Sequence, residues 1–263
     1  MDFFSNYNFN REPGFVSFIE ASGFEYSDMN SPFVNDNKGL NAFYTDVFDM
    51  EVPLCVPIIE DYYNGILDFN GDVILTSNYK PELPVIISNT VSNVNLNGKK
   101  VIAPVFAENN GNVLNGNTDS YAFWVKEGGD LTIEGDGEVI ASEAKYSMAV
   151  WSNGGKVTIK GGKFYNNGDN SDLIYASNGG TVEIYGGEFH ANENKGASGT
   201  KNKFPALNIK DKDREMTKIL VYGGKFYGFD PANNVSEGEN TNFVAEGYKS
   251  VEVSENVWEV LPK

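Results

Sequence analysis

Short stretches of alternating apolar and polar residues recur along most of the chain, and each one leads into a glycine. In the clearest copy, Val182 and Ile184 flank Glu183 just before the Gly186-Gly187 pair, and Phe189 follows. Alternation with a period of two predicts a short β-strand with one buried face in every copy. The first glycine of each copy, used as its marker, is Gly71, Gly98, Gly135, Gly161, Gly186 or Gly223.

An apolar residue also follows most of these markers at a distance of three residues, as Ile74 does in the first copy. A second series of glycine pairs, at 128–129, 154–155 and 179–180, follows a second set of apolar segments. A unit of about 26 residues therefore recurs, as in stacked repeat proteins. Each unit is predicted to hold at least two strands joined by glycine turns, and a third is expected.

A strand that recurs with this period can pair in parallel with its equivalents in the units before and after it. The sequence therefore predicts an all-β fold, a right-handed parallel β-helix (solenoid) of about six coils over residues 58–241. Leucine-rich and ankyrin arrays would need a helical period, and propeller blades are longer, at about 40 residues. Because open sheet edges must be covered, residues 242–263 are predicted to form a small C-terminal β cap containing a hairpin.

The N-terminal arm, residues 1–57, differs from the repeats because its aromatic residues follow no regular period. It is too polar between these aromatics to build its own core, whereas disordered tails are poor in aromatics. We therefore expect the arm to dock on the body of the chain, on a sister subunit or on a larger assembly. The anchoring residues are predicted to be Phe3, Phe4, Tyr7, Phe9, Phe15 and Phe18.

The strands before the second glycine series carry apolar residues on both faces. If Leu207 and Ile209 point inward, alignment of the repeats on the second series of glycine pairs predicts that Trp151 points inward as well. The opposite, apolar face should then be covered by a sister subunit, the arm or a loop, although the swapped register stays open. Stacking of Trp124 and Tyr175 on sugar rings is an alternative. The predicted subunit interface is Trp124, Met148, Val150, Leu173 and Tyr175.

Composition narrows the choice of partners. The net charge of −17 disfavours binding to nucleic acid and to anionic membranes, and no apolar stretch is long enough to span a bilayer. Cys55 is the only cysteine, so no intrachain disulfide can form. His190 is the only histidine, and its place inside a repeat predicts an outward repeat position.

β-Helix enzymes need clustered carboxylates for acid–base chemistry or for Ca²⁺. The position before the marker glycine carries a carboxylate in one copy alone, at Glu134, and the richest charged segment, 210–215, is predicted to be a solvated loop. We therefore expect no catalytic residue, no metal and no cofactor. A polysaccharide lyase or hydrolase is the alternative, with Asp211, Asp213 and Glu215 as its candidate residues.

The Val-x-Ile-x-Gly-Gly-x-Phe repeats and the ending Gly247-Tyr248-Lys249…Trp258-Glu259-Val260 resemble the β-helical appendage proteins of tailed bacteriophages. These comprise head fibres, capsid decorations and tailspike-like fibres, and the resemblance covers residues 58–263. It implies a structural virion protein, commonly a homotrimer, that binds capsid or other virion proteins through residues 1–57.

The resemblance also implies contact of the β-helix with a host surface glycan. The N-terminus shows no basic region followed by an apolar run, so we expect no signal peptide and assembly in the host cytoplasm. Since bacterial surface proteins use similar repeats, an adhesin or glycan-binding module is a further alternative.

Overall fold

The computed structural model describes residues 62–63, 67–107, 118–142, 144, 146–166, 171–191, 206–234 and 240–263. All of these residues belong to one compact unit, Glu60–Lys263. The arm with its predicted anchoring residues, and the predicted boundary after residue 57, lie outside the described residues.

The described residues form strands and turns, with a single 3-10 turn at Asp211–Asp213 and no α-helix. None of them forms a helix long and apolar enough to cross a membrane. The strands are β1 Tyr62–Tyr63, β2 Gly71–Ile74, β3 Asn78–Tyr79, β4 Val85–Ile87, β5 Val91–Asn95, β6 Lys99–Ile102, β7 Phe106–Ala107, β8 Thr118–Lys126, β9 Asp130–Glu134, β10 Gly137–Ala141, β11 Tyr146–Asn153, β12 Lys156–Ile159, β13 Lys163–Asn166, β14 Ser171–Ser177, β15 Thr181–Ile184, β16 Glu188–His190, β17 Leu207–Ile209, β18 Lys218–Val221, β19 Lys225–Tyr227, β20 Tyr248–Ser254 and β21 Val257–Pro262.

Three sheets contain these strands. The first sheet is β2-β5-β9-β12-β15-β18, and all of its strands are parallel. The second sheet is β1-β3-β6-β10-β13-β16-β19, also parallel, followed by the antiparallel strands β21 and β20. The third sheet is the parallel set β4-β8-β11-β14-β17, with β7 antiparallel to β8.

From β8 to β19 the chain visits the third, the first and the second sheet in that order, four times in succession. Each strand pairs with the equivalent strand of the preceding and the following repeat, so equal positions stack on one another. The predictions of an all-β fold, of parallel pairing between repeats and of a third strand in each repeat are therefore confirmed.

The apolar positions of the repeat build the core between the sheets. In the first sheet, Val182 and Ile184 are fully buried, as are their equivalents in β12, Val157 and Ile159. In the second sheet, Phe164, Phe189 and Phe226 form a column with ring centroids 5.0 and 4.9 Å apart. The inward face predicted for the first-sheet strands from alternation is thus correct.

The first two repeats have a different register from the one that the marker glycines predict. Val94 pairs with Ile133 and not with Leu131, so Gly98 is shifted by two residues from Gly135. Val73 pairs with Val94, and Gly71 lies inside β2, so Gly71 is not a marker. Ile74, which the marker glycines align with Phe164 and Phe189, is 64% exposed. Alternation continues from Leu67 to Leu75, and any slip by an even number of residues leaves the same side chains inward. Strand pairing, not alternation, therefore decides which of them stacks on Val94.

The glycine pairs of the second series, at 128–129, 154–155 and 179–180, lie where the chain turns from the third sheet into the first. Gly128 has a φ of +74°, a left-handed conformation that costs glycine little. A Cβ on Gly129 would lie 2.5 Å from the carbonyl oxygen of Ile87 in the preceding repeat. Neighbouring turns therefore stack too closely for a side chain, which explains the repetition of the pair.

The C-terminal residues pair with the last strands of two sheets. The predicted hairpin is present as β20 and β21, and β21 pairs with β19 of the second sheet. Val244 forms a parallel bridge to Val221, the last residue of β18 in the first sheet. Phe243 and Ala245, on either side of this bridge, are buried. The backbone edges of β18 and β19 are thus at least partly satisfied.

Candidate functional site

Five large side chains from three strands form a cluster on the outer side of the third sheet. Parallel pairing in register sets Trp151 opposite both Trp124 and Tyr175. The two indole rings are stacked, with centroids 5.1 Å apart and planes 7° apart, and Tyr121 meets both edge-on. We call this group the aromatic cluster: Tyr121, Trp124, Met148, Trp151 and Tyr175.

The aromatic cluster is separate from the main core, which lies on the other side of the same strands. Tyr121, Trp124 and Trp151 are only 2%, 5% and 9% exposed, whereas Met148 and Tyr175 are half-buried. These values apply to a single chain, so the burial of the three rings does not require a sister subunit.

Two residues of the predicted subunit interface are misplaced. Val150 and Leu173 are fully buried in the main core, whereas Trp124, Met148 and Tyr175 do lie in the aromatic cluster. An outward-facing role for Val150 and Leu173 is therefore wrong.

The prediction that Trp151 points inward is also wrong, and turn length is the cause. Asn153 pairs with Lys126 and Lys156 pairs with Asp130, so the turn after β11 is one residue shorter than the turn after β8. Alignment on the glycine pairs therefore shifts β11 by one residue, which exchanges its two faces. The difference in length between the turns after β8 and β11 was the signal that could have placed Trp151 on the correct face.

The polar atoms of the two indoles have different surroundings. Trp151 Nε1 donates a hydrogen bond of 2.9 Å to Ser177 Oγ, which donates in turn to Asn153 Oδ1 at 3.2 Å. Trp124 Nε1 is buried and has no hydrogen-bond partner among the described residues.

The ring faces of Trp124 are both occupied. Lys126 Nζ lies 3.8 Å from the ring centroid, and a cation over an indole face is attracted by the ring quadrupole. Trp151 is stacked on the same ring, and an ammonium group and a stacked ring cannot share one face. Stacking of Trp124 on a sugar ring, which was one half of the alternative, therefore does not fit this arrangement. The other half, stacking of Tyr175 on a sugar ring, stays a prediction.

A second aromatic column lies on the outer face of the second sheet. His190 is stacked between Tyr165 and Tyr227, with centroid distances of 4.6 and 4.1 Å. Burial lowers the pKa of His190 below its ordinary value, and Glu188, whose Oε2 lies 3.4 Å from Nε2, opposes the shift. The prediction that His190 is an outward repeat residue is confirmed, because it flanks the inward Phe189 on β16.

The repeat strands also carry charges that alternate in sign from one strand to the next. On the first sheet, Lys156 Nζ lies 3.3 Å from a Glu183 oxygen, and Lys160 Nζ lies 3.9 Å from one of Glu134. Hydrogen bonding to Glu183 and its charge raise the pKa of Lys156. On the second sheet the stacked series is Lys100, Glu138, Lys163, Glu188, Lys225 and Glu259.

The charged segment 210–215 is a solvated turn with one exception. Asp211, Arg214 and Glu215 are exposed, as predicted for a loop, but Asp213 is buried. Its Oδ2 accepts a hydrogen bond of 2.9 Å from the backbone N–H of Asn178, at the turn after β14. This carboxylate therefore ties the segment to the stack.

The part of the chain that the structure describes contains no group of three or more His, Cys, Asp or Glu side chains placed to hold a metal ion. Comparison of the chain with models of protein families, with curated proteins and with solved structures finds no match.

Proposed function

We propose that the described strands form a right-handed parallel β-helix of about six coils. The observation that carries this proposal is the parallel pairing of each strand with its equivalents one repeat away in all three sheets. Connections between parallel strands of one sheet are almost always right-handed, which gives the hand. In such a stack each repeat contacts the repeats before and after it, so stability is shared along the array.

The β-helix serves, in this proposal, as the body of a structural virion protein of a tailed bacteriophage, a fibre, spike or capsid decoration. Support comes from the resemblance of the repeats and of the C-terminal motif to those appendages. Carboxylates on the outer faces support a structural role, since Glu134 and Glu183 lie against lysines of neighbouring strands.

Attachment is assigned to the arm at 1–57, whose aromatic side chains bind capsid or other virion proteins while the β-helix reaches the host surface or a surface glycan. The anchoring residues of this proposal are Phe3, Phe4, Tyr7, Phe9, Phe15 and Phe18. Three copies assemble on the particle in the host cytoplasm. Within the aromatic cluster, the half-buried Met148 and Tyr175 are the side chains that a sister subunit can still reach.

Deletion of residues 1–57 tests the attachment. We expect the truncated chain to remain a folded β-protein by circular dichroism but to be missing from purified particles after expression in infected cells. A full-length chain in which the six anchoring aromatics are replaced by serine is a second test variant. It should also be missing from the particles, although it keeps the length of the arm. Normal incorporation of the truncated chain would show that the arm is not the anchor.

Sedimentation equilibrium of the full chain tests the trimer separately. A mass of three chains at micromolar concentration is the expected result. The mass of a single chain at micromolar concentration would show that the protein is not a trimer. It would leave the attachment test unaffected.

A further inference from the structure

The outer face of the first sheet has an arrangement of charges that the proposed attachment role does not use. On β9, Asp130 and Glu134 flank Thr132 on the outward side, and Asp130 and Thr132 pair with Lys156 and Thr158 of β12. Lys160 follows β12 and lies beside Glu134. One strand is thus acidic at both ends and the next is basic at both ends. We call this surface the charged face.

The charged face complements itself only when two copies run in opposite directions. A two-fold axis parallel to the strands, halfway between β9 and β12, sets Asp130 of one copy opposite Lys156 of the other. The same rotation sets Glu134 opposite Lys160, and symmetry repeats both pairs. A two-fold axis along the stack would instead set Asp130 opposite Glu134 and Lys156 opposite Lys160. Like charges in contact are unfavourable, so electrostatics selects the antiparallel arrangement.

Exposed apolar side chains at one end of the charged face point to the same pairing. Ile74 on β2 is 64% exposed and Val91 on β5 is 56% exposed, although both lie on regular strands. In the antiparallel arrangement β2 faces β18, and β5 faces β15, of the second copy. Ile74 then meets Tyr222 and Val91 meets Thr181, so both lose exposed apolar surface.

We propose that two copies of this chain associate through their charged faces with their stacks antiparallel. Six strands at a spacing of about 4.8 Å, with about five residues each, make a face roughly 25 by 15 Å. This is about half of the roughly 800 Å² per partner of a standard interface, so the dimer is weak and sensitive to salt. The contact lies on a different sheet from the aromatic cluster and does not depend on the proposed function.

Cysteine cross-linking in the full chain tests the arrangement. Val91→Cys and Thr181→Cys are made separately in a Cys55→Ser background, and the two proteins are mixed with a short cross-linker that carries two thiol-reactive maleimides. Val91 and Thr181 belong to strands three spacings apart in one copy, about 14 Å. Sheets packed face to face lie about 10 Å apart, which is too far for a disulfide but within reach of the cross-linker. Only antiparallel copies set Val91 directly opposite Thr181, whereas any other pairing adds the offset of about 14 Å along the stack.

The expected result is a cross-linked dimer in the mixture and little cross-linking of either variant alone. Cross-linking of Val91→Cys or Thr181→Cys with itself as fast as in the mixture would overturn the antiparallel arrangement. A mixture that stays uncross-linked at concentrations approaching millimolar would overturn the contact.

Charge variants give a second, independent readout by sedimentation. Lys156→Glu with Lys160→Glu should weaken dimerisation by at least about tenfold, because both charge pairs become repulsive. Adding Asp130→Lys and Glu134→Lys inverts the face and should restore dimerisation, which excludes misfolding as the cause. The double variant Lys163→Glu with Glu188→Lys, on the second sheet, is the matched control and should leave the dimer unchanged. Loss of dimerisation in this control, or no loss in the first variant, would contradict the proposal.

Discussion

Asp213 shows how a single residue can depart from the character of its segment. Its neighbour Asp211 has a side chain 94% exposed, whereas the side chain of Asp213 is 12% exposed and accepts the N–H of Asn178. The sequence could not distinguish the two, since both lie in an alternating run of charges. The contact with the turn after β14 exists only when residues far apart in the chain are brought together.

Replacing Asp213 by Ala should therefore lower the free energy of unfolding by about 1–3 kcal/mol, because the partly buried hydrogen bond from the Asn178 N–H to a charged carboxylate is lost. Asp211→Ala is the matched control and should change stability by less than about 0.5 kcal/mol. Urea unfolding followed by circular dichroism measures both. Equal effects of the two substitutions would show that the Asp213 contact does not contribute to stability.

His190 makes the stability of the stack depend on pH. Because burial lowers the pKa of His190 in the folded chain, protonation favours the unfolded chain. The contribution is favourable above the ordinary histidine pKa of about 6.5 and is lost as pH falls through the lower folded value.

His190→Phe keeps a ring between Tyr165 and Tyr227 but cannot be protonated. We expect the wild-type chain to lose more stability than this variant between pH 7.5 and pH 5, which thermal unfolding at both pH values measures. Parallel losses in the two proteins would assign the pH dependence to the carboxylates alone.

At the scale of the element, turn length decides which face of a strand is buried. The alternation in the first-sheet strands was sufficient to predict their inward residues, such as Val182 and Ile184. In the third sheet both faces are apolar, so alternation did not distinguish them. The turn after β11, one residue shorter than its neighbour, then placed Trp151 on the outer side and Val150 inside.

The stacked indoles of the aromatic cluster should give an optical signal. Two indoles with centroids 5.1 Å apart couple electronically, and a rotation of one ring relative to the other within the stacked planes turns this coupling into an exciton couplet, which we expect in the far-ultraviolet circular dichroism spectrum. Trp151→Phe should abolish the couplet. Trp258→Phe is the control, because Trp258 packs against the main core and not in the aromatic cluster. A couplet that survives Trp151→Phe would contradict the corrected register of β11.

At the scale of the whole molecule, stability depends on covering the last repeat. The hairpin of β20 and β21 pairs with β19, and Val260 in β21 is 3% exposed. An uncovered edge of a parallel sheet offers unpaired backbone groups to other chains. The hairpin therefore protects the end of the stack from aggregation.

Truncation after residue 247 removes this hairpin and should produce soluble oligomers or aggregates, which light scattering after gel filtration would detect. Removal of Lys263 alone is the control and should leave the size of the protein unchanged. A truncated chain with the same size distribution as the full chain would show that β19 needs no cover.

By itself, the sequence determined the strands of the first sheet, the repeat unit, the parallel pairing and the C-terminal hairpin. These features follow from alternation and from glycine positions, which are local and repeat along the chain. The tertiary structure alone decided the register of β2, the stacking of Trp151 on Trp124 and the burial of Asp213. Each of these depends on the number of residues between strands that meet in space, and a change of one residue there exchanges the faces of a strand.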